Sequence, residues 1–197
     1  MSKTDPASSQ KERNKAIRWV VTIFLVTIII SALISMISDE IMSHSGIVAA
    51  FIILLAIVLI GIIFDIIGVA VTSADETPFH SMAARKVPGA QESIRLLRNA
   101  SKVGSICNDV IGDICGVVSG SASATIAALV ISNIEIGWPR VVTLTMSALV
   151  AGLTVGGKAI GKSFAMNSAT KIVHTVGRII YGLHHIPELF GKKKNKR

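Results

Sequence analysis

The chain has 197 residues, of which 51% are hydrophobic and only 16% charged, and its mean hydropathy is +0.64. A soluble domain carries about a quarter charged residues, so the composition excludes the soluble globular class. The net charge of +8 would suit a nucleic-acid partner, but the basic residues are segregated between apolar stretches, and we expect no nucleic-acid binding. We therefore predict an all-α integral membrane protein whose main partner is the lipid bilayer.

Four apolar stretches are long enough to cross the bilayer. A helix needs about 20 apolar residues to cross a hydrocarbon core of roughly 30 Å, and the predicted spans are residues 17–37, 47–73, 104–131 and 141–157. The first span follows a cytoplasmic basic tail, residues 1–16, as a signal peptide would. Its apolar core is too long for a signal peptide and no small-x-small cleavage site follows, so we interpret it as an anchor.

The lysines and arginines predict the topology. Nineteen of the 20 lie before or at the very start of the first span (Arg18), between the second and third spans, or after the fourth, and the exception is Arg140. The loops Ser38–Gly46 and Ser132–Pro139 contain none. By the positive-inside rule, the three basic groups face the cytoplasm. We predict a multi-pass plasma-membrane protein with both termini in the cytoplasm.

Residues 75–103 have the pattern of two short amphipathic helices at the cytoplasmic surface. Thr77-Pro78 suits a helix start, so the first helix is predicted over Phe79–Lys86. Pro88-Gly89 ends it, and a second helix is predicted over Ala90–Asn99.

Residues 166–186 predict a third amphipathic helix, which completes a membrane domain spanning residues 17–186. Its predicted apolar face consists of Ile172, Val176, Ile179, Ile180 and Leu183. Residues 187–197 form a polybasic C-terminal tail. We interpret the tail as a topology determinant, or alternatively as a contact with anionic lipid.

Acidic residues inside the predicted spans are the strongest functional signal. Asp65 lies in the second span, and Asp109 and Asp113 share a helix face at spacing i, i+4 in the third, next to Asn108. An ionisable group in hydrocarbon costs about 2.5–3.5 kcal/mol, so it usually faces a protein interior, a cation or water. Carboxylate and amide oxygens suit Mg²⁺ and Ca²⁺. We predict that these four residues form one metal site, with Mg²⁺ as the first candidate.

Three other interpretations of the aspartates stay open. They cap or pair locally, they hold a proton and act as neutral hydrogen-bond donors, or Lys102 or Lys158 neutralises one of them near the interface.

Small residues recur every fourth position in the last two spans. The third span has Gly112, Gly116 and Gly120, and the fourth has Ala148, Gly152 and Gly156. Such ladders let helices approach closely in lipid. We predict close packing of spans three and four, either within one chain or across a homodimer.

Two further groups of residues carry less weight. Cys107 and Cys115 are about 12 Å apart along one predicted helix, too far for a disulfide, so we expect reduced thiols that fill space. His184-His185-x-x-Glu188 resembles a metal pattern, but no second cluster accompanies it, and we interpret it, like His80, as solvated. The sequence contains no phosphate loop, catalytic triad or zinc pattern, so we expect no enzyme.

From Phe64 to about Ile186 the chain resembles the transmembrane domain of the CorB/CorC and cyclin-M family of magnesium transporters. Phe64-Asp-Ile-Ile-Gly-Val-Ala-Val-Thr-Ser73 is similar to the family's F-S-x-S-E-x-A-x-x-S helix. Cys107-Asn-Asp-Val-Ile-Gly112 is similar to its G-N-N-x-x-N motif, and Gly157-Lys-Ala-Ile-Gly-Lys-Ser-Phe-Ala-Met-Asn167 to its G-E-x-x-P-K-x-x-A-x-x-N segment. The resemblance implies the family's membrane fold and a dehydrated Mg²⁺ held by serines and asparagines.

The chain departs from the family at the ion ligands. Asp65 stands at the first serine position, Asp109 replaces the second asparagine, and Asn108 is retained. Lys158 replaces the family's glutamate and reverses a charge near the ion path. The CBS domains that usually follow are not part of the sequence. Two hypotheses result: a CorC-like protein that binds or transports a divalent cation, or a non-transporting scaffold that recruits a partner through its cytoplasmic helices and tail.

Overall fold

The structure is a computed structural model that describes residues 6–133 and 137–191, and every element in these ranges is helical. The long helices are α1 (Pro6–His44), α2 (Ile47–Ser73), α6 (Asp113–Asn133), α7 (Pro139–Asn167) and α8 (Ala169–Gly191). The short ones are α3 (Thr77–Ala84), α4 (Ala90–Arg98) and α5 (Ala100–Ser105). A π-helical segment, Ile106–Gly112, joins α5 to α6. The predicted tail beyond Gly191 lies outside the described residues.

Four helices are long and apolar enough to cross a membrane, as predicted. They cover Ile17–Met42, Ile47–Ser73, Ala100–Asn133 and Pro139–Asn167. The predicted all-α, four-span fold class is therefore confirmed. Large apolar side chains on α1, among them Phe24, Leu25 and Ile29, are exposed on the outside of the bundle. In a bilayer such a surface contacts lipid rather than water.

Two span boundaries differ from the prediction. The first span continues past Ile37, so Ser38–His44, most of the predicted loop Ser38–Gly46, forms the last two turns of α1. The fourth span does not end at Gly157 but continues for ten residues to Asn167. The two predicted spans stopped before Asp39 and Lys158, but both charged side chains make polar contacts inside the bundle.

Helix α2 is the centre of the bundle. It packs against α6, α7, α8 and the π-helical segment, whereas α1 packs mainly against α6. Two apolar clusters lie along α2. One, in the N-terminal half of α2, surrounds Leu54 and Val58, and the other, near its C-terminal end, surrounds Ala70 and Val71. Asp65 lies on α2 between these clusters.

Helices α3, α4 and α8 form a compact layer at the end of the bundle where α2 ends. The predicted helix Phe79–Lys86 begins two residues earlier, at Thr77, and ends at Ala84, while the helix predicted over Ala90–Asn99 is observed over Ala90–Arg98. The Ser93 hydroxyl of α4 donates a hydrogen bond to the Val173 carbonyl of α8 at 3.2 Å.

Gly89 explains why the chain turns so tightly before α4. Its φ is +86°, which favours glycine, and an added Cβ would lie 2.5 Å from the backbone nitrogen of Arg178.

The apolar face predicted for the last helix is only partly correct. Its buried centre consists of Val173 and Gly177, which face α4, while Ile179 and Leu183 are exposed. The contact with α4 decides which face is buried, and this contact cannot be derived from the helical period alone.

Candidate intramembrane charge cluster

Two aspartates from different helices lie beside one lysine inside the membrane-spanning bundle. The Lys158 Nζ is 3.6 Å from the Asp65 Oδ1 and 3.8 Å from the Asp113 Oδ1. The lysine side chain is 24% exposed and that of Asp65 17%, while that of Asp113 is 70% exposed. We call these three residues the charge cluster. With all three ionised, its net charge is −1.

Three helices bring the cluster together. Asp65 lies eight residues before the end of α2 and Lys158 nine before the end of α7, which places both about 12–14 Å from these helix ends at 1.5 Å per residue. Asp113 is the first residue of α6. The lysine lies inside the span because α7 continues beyond it with residues such as Ile160 and Phe164.

Gly112 makes room for the cluster. Its carbonyl oxygen accepts a hydrogen bond from the Lys158 Nζ at 3.3 Å. A Cβ at this position would lie 3.2 Å from the Asp65 Oδ1 and 3.3 Å from the Lys158 Nζ, closer than most real Cβ contacts. The cluster therefore consists of two carboxylates and one backbone carbonyl around an ammonium group.

The π-helical segment lies next to the cluster and carries Asn108 and Asp109. An added Cβ on Gly68 would overlap the Asn108 amide, so the two helices meet closely there. The Asn108 Oδ1 is buried, and it accepts no hydrogen bond within the described part of the chain. Single π-helical turns are rare and frequently occur at functional sites.

The predicted metal ligands are thus distributed over two neighbouring places. Asp65 and Asp113 meet at Lys158, Asn108 points to α2 at Gly68, and Asp109 is exposed outside the cluster. Among the described residues, no group of three or more His, Cys, Asp or Glu side chains is arranged to hold a metal ion. The observed contact of Lys158 with Asp65 and Asp113 agrees with the alternative interpretation, in which Lys158 neutralises an aspartate.

Sequence reasoning underestimated Lys158. The predicted fourth span ended at Gly157, one residue before it. The helix continues, and the sequence indicates this through the apolar residues after the lysine, namely Ala159, Ile160 and Phe164 to Met166. That continuation is the signal by which an intramembrane lysine was recognisable. The π-helical segment had no such signal in the residue pattern.

The other candidate residues lie away from the cluster or serve packing. Cys107 and Cys115 are free thiols, as predicted. The His80 Nε2 lies 3.1 Å from the Glu76 carboxylate on the exposed surface, and His184 is exposed. The side chains of His185 and Glu188 lie outside the described residues.

Gly116 and Gly120 of the predicted glycine ladder form no close contact within the chain, whereas Gly112 lies close to Asp65 and Lys158. An added Cβ on Gly116 or Gly120 meets nothing within 4 Å, and both residues border a cavity of about 280 Å³ between α6 and α7. The close approaches involve α2 instead, where a Cβ on Gly61 would lie 2.8 Å from the Cys115 Cβ. Small residues of α2, rather than those of α6, therefore permit the tight packing of these helices.

Comparison of the chain with family models, curated proteins and solved structures finds no match. The resemblance to the magnesium-transporter family therefore depends on the three short motifs alone.

Proposed function

We propose that this protein binds and transports a divalent cation through the charge cluster, with Mg²⁺ as the first candidate. The observation that carries the proposal is the convergence of Asp65, Asp113 and the Gly112 carbonyl on a single ammonium group inside the spans. Intramembrane carboxylates usually mark ion pathways or proton relays. In this proposal the Lys158 ammonium is the resident cation, and the transported ion competes with it.

The chemistry of the ligands supports a hard cation. Mg²⁺ binds through one or two carboxylates together with other oxygen ligands and retained water. Asp65 and Asp113 supply the carboxylates, and the 70% exposure of the Asp113 side chain leaves the cluster open on one side. Lysine has a flexible four-carbon stem, so Lys158 is able to leave the carboxylates when a cation enters.

The orientation and assembly are also part of the proposal. The distribution of Lys and Arg supports a plasma-membrane protein with both termini in the cytoplasm, and the charge cluster then lies in the cytoplasmic half of the bilayer. The small-residue surface around Gly116 and Gly120 supports a homodimer through α6 and α7, because it is not filled within one chain.

A non-transporting scaffold is the second candidate, and the position of Lys158 favours it. An ammonium group between two carboxylates compensates their charge without any metal. In this case the cluster stabilises the bundle, and the cytoplasmic helices, with the exposed basic residues of α4 and α8, recruit a partner together with the basic tail.

Divalent-cation uptake into proteoliposomes separates the two candidates. We expect the wild-type protein to take up Mg²⁺ faster than empty vesicles and the Asp65→Asn variant to lose this activity. Glu40→Gln is the matched control, because it removes an exposed carboxylate at the other end of the bundle, and it should retain uptake. Wild-type uptake equal to that of empty vesicles would refute transport and favour the scaffold.

A further inference from the structure

A groove open to the bilayer lies between the cytoplasmic halves of α2, α7 and α8. Its volume is about 550 Å³. Its walls are apolar and include Ile63 and Ile66 of α2, Phe164 of α7 and Ile179 of α8. Ile63, Phe164 and Ile179 are each more than half exposed, so the described part of the chain leaves the groove uncovered.

Three polar residues line the groove. Ser168 lies at the junction of α7 and α8, and Lys171 and Thr175 follow on α8. Ile63 is ten residues before the end of α2, which places it about 15 Å from that end along the helix axis. The α2 part of the apolar wall therefore lies within the span, and we expect Lys171, in the first turn of α8, to lie near the lipid headgroups.

The charged residues of α7, and of α8 before Glu188, are all basic, and Asp65, which neighbours the groove residue Ile66 on α2, is paired with Lys158. The sequence contains no Asp or Glu between Glu135 and Glu188 but has five Lys and Arg residues there. Lys171 is exposed and forms no ion pair with any described residue. The hydroxyl of Thr175 donates to the Lys171 carbonyl at 2.8 Å, so it binds the helix backbone and leaves the ammonium as the group that recognises an anion.

We propose that this groove is a binding site for an anionic phospholipid of the cytoplasmic leaflet. The lipid phosphate binds the Lys171 ammonium near Ser168, and one acyl chain lies against the isoleucines of α2 and α8. The depth of the apolar wall, the position of the lysine and the absence of carboxylates between Glu135 and Glu188 together select this occupant. The proposal is independent of the cation proposed for the charge cluster.

The test compares lipids by native mass spectrometry of the full-length chain. Phosphatidylglycerol, which is anionic, and phosphatidylcholine, which is zwitterionic, are titrated separately. We expect phosphatidylglycerol to bind the wild type more tightly. One lysine contributes about 1 kcal/mol to binding of an anionic headgroup. Lys171→Gln should therefore weaken the binding of phosphatidylglycerol about fivefold and leave the binding of phosphatidylcholine unchanged.

Two further variants distinguish a built site from general surface charge. Lys162→Gln removes an exposed lysine of α7 that does not line the groove, and it should leave both affinities unchanged. Thr175→Trp fills the groove from an exposed position and should weaken both lipids. Retained binding by Thr175→Trp would overturn the proposal.

Other outcomes also contradict the proposal. Equal effects of Lys171→Gln and Lys162→Gln would indicate diffuse attraction to the basic surface. Equal binding of both lipids to the wild type would show that the groove does not recognise the anionic headgroup. A two-chain mass that becomes one chain in Thr175→Trp would identify a second copy of the protein as the occupant.

Discussion

Lys158 is the residue on which the charge cluster depends. It contacts Asp65 and Asp113 and donates to the Gly112 carbonyl. The partly buried pair with Asp65 matters more for stability than the pair with Asp113, because water and mobile ions screen the largely exposed Asp113 carboxylate.

We predict that Lys158→Met, measured without divalent cations, destabilises the protein by roughly 3 kcal/mol, because removing one partner leaves the Asp65 carboxylate uncompensated. The Lys158→Met/Asp65→Asn double variant should regain most of this loss. Denaturation of both variants and of the wild type in detergent measures the difference. If Lys158→Met were as stable as Lys158→Met/Asp65→Asn, the Lys158–Asp65 pair would contribute nothing to stability.

At the scale of the helices, small residues of α2 determine which elements pack closely. Gly61→Leu should overpack the contact with Cys115 and destabilise the bundle by roughly 1–3 kcal/mol, since an added Cβ already lies at 2.8 Å. Gly116→Leu is the matched control, because its surroundings are empty within the chain. Its melting temperature should stay near that of the wild type, and a loss of oligomer mass would identify α6 as the homodimer interface.

Equal destabilisation of Gly61→Leu and Gly116→Leu, with unchanged oligomer mass, would contradict the packing described for α2.

The start of α3 is predicted to be sensitive to pH. Asp75 accepts hydrogen bonds from the Thr77 backbone N–H at 3.2 Å and from the Thr77 hydroxyl at 3.1 Å, which hold its pKa below the ordinary value of 3.8. A lowered folded-state pKa contributes stability above the unfolded-state pKa, and this contribution is lost as the pH falls through the folded-state pKa. The protection factor of the Thr77 amide in hydrogen exchange should fall accordingly.

Asp75→Asn retains an acceptor oxygen but does not titrate. Its Thr77 protection factor should therefore not change in this pH range. If the wild-type protection factor of the Thr77 amide did not change as the pH falls, titration of Asp75 would not control the stability of the α3 start.

Several elements were predictable from the sequence and others were not. The spans follow from apolar length alone, and α4 follows from the Pro88-Gly89 break. The continuation of α7 past Lys158 was not predicted, although the apolar residues after Lys158 indicate it. The buried face of α8 was not predicted because it depends on the contact with α4. The positions of the four candidate ligands were only partly predicted, since the α-helical period cannot describe a π-helical segment that carries Asn108 and Asp109.

At the scale of the whole molecule, the orientation in the membrane determines from which side ions and lipids enter. Gly46 and Gly137 lie in the two predicted external loops, and an added Cβ meets nothing at either position. In a background without Cys107 and Cys115, Gly46→Cys and Gly137→Cys should react with an impermeant thiol reagent in intact cells. Ser101→Cys should react only after permeabilisation, and the opposite pattern would invert the topology.

The central claim is that a divalent cation competes with Lys158 for the carboxylates of Asp65 and Asp113. The most direct measurement is the melting temperature during Mg²⁺ titration of the wild type, Lys158→Met and Lys158→Met/Asp65→Asn. Mg²⁺ should stabilise Lys158→Met at lower concentration than the wild type, because the competing ammonium is gone, and should not stabilise the double variant. A Lys158→Met protein whose melting temperature does not respond to Mg²⁺, or responds as the double variant does, would contradict the claim.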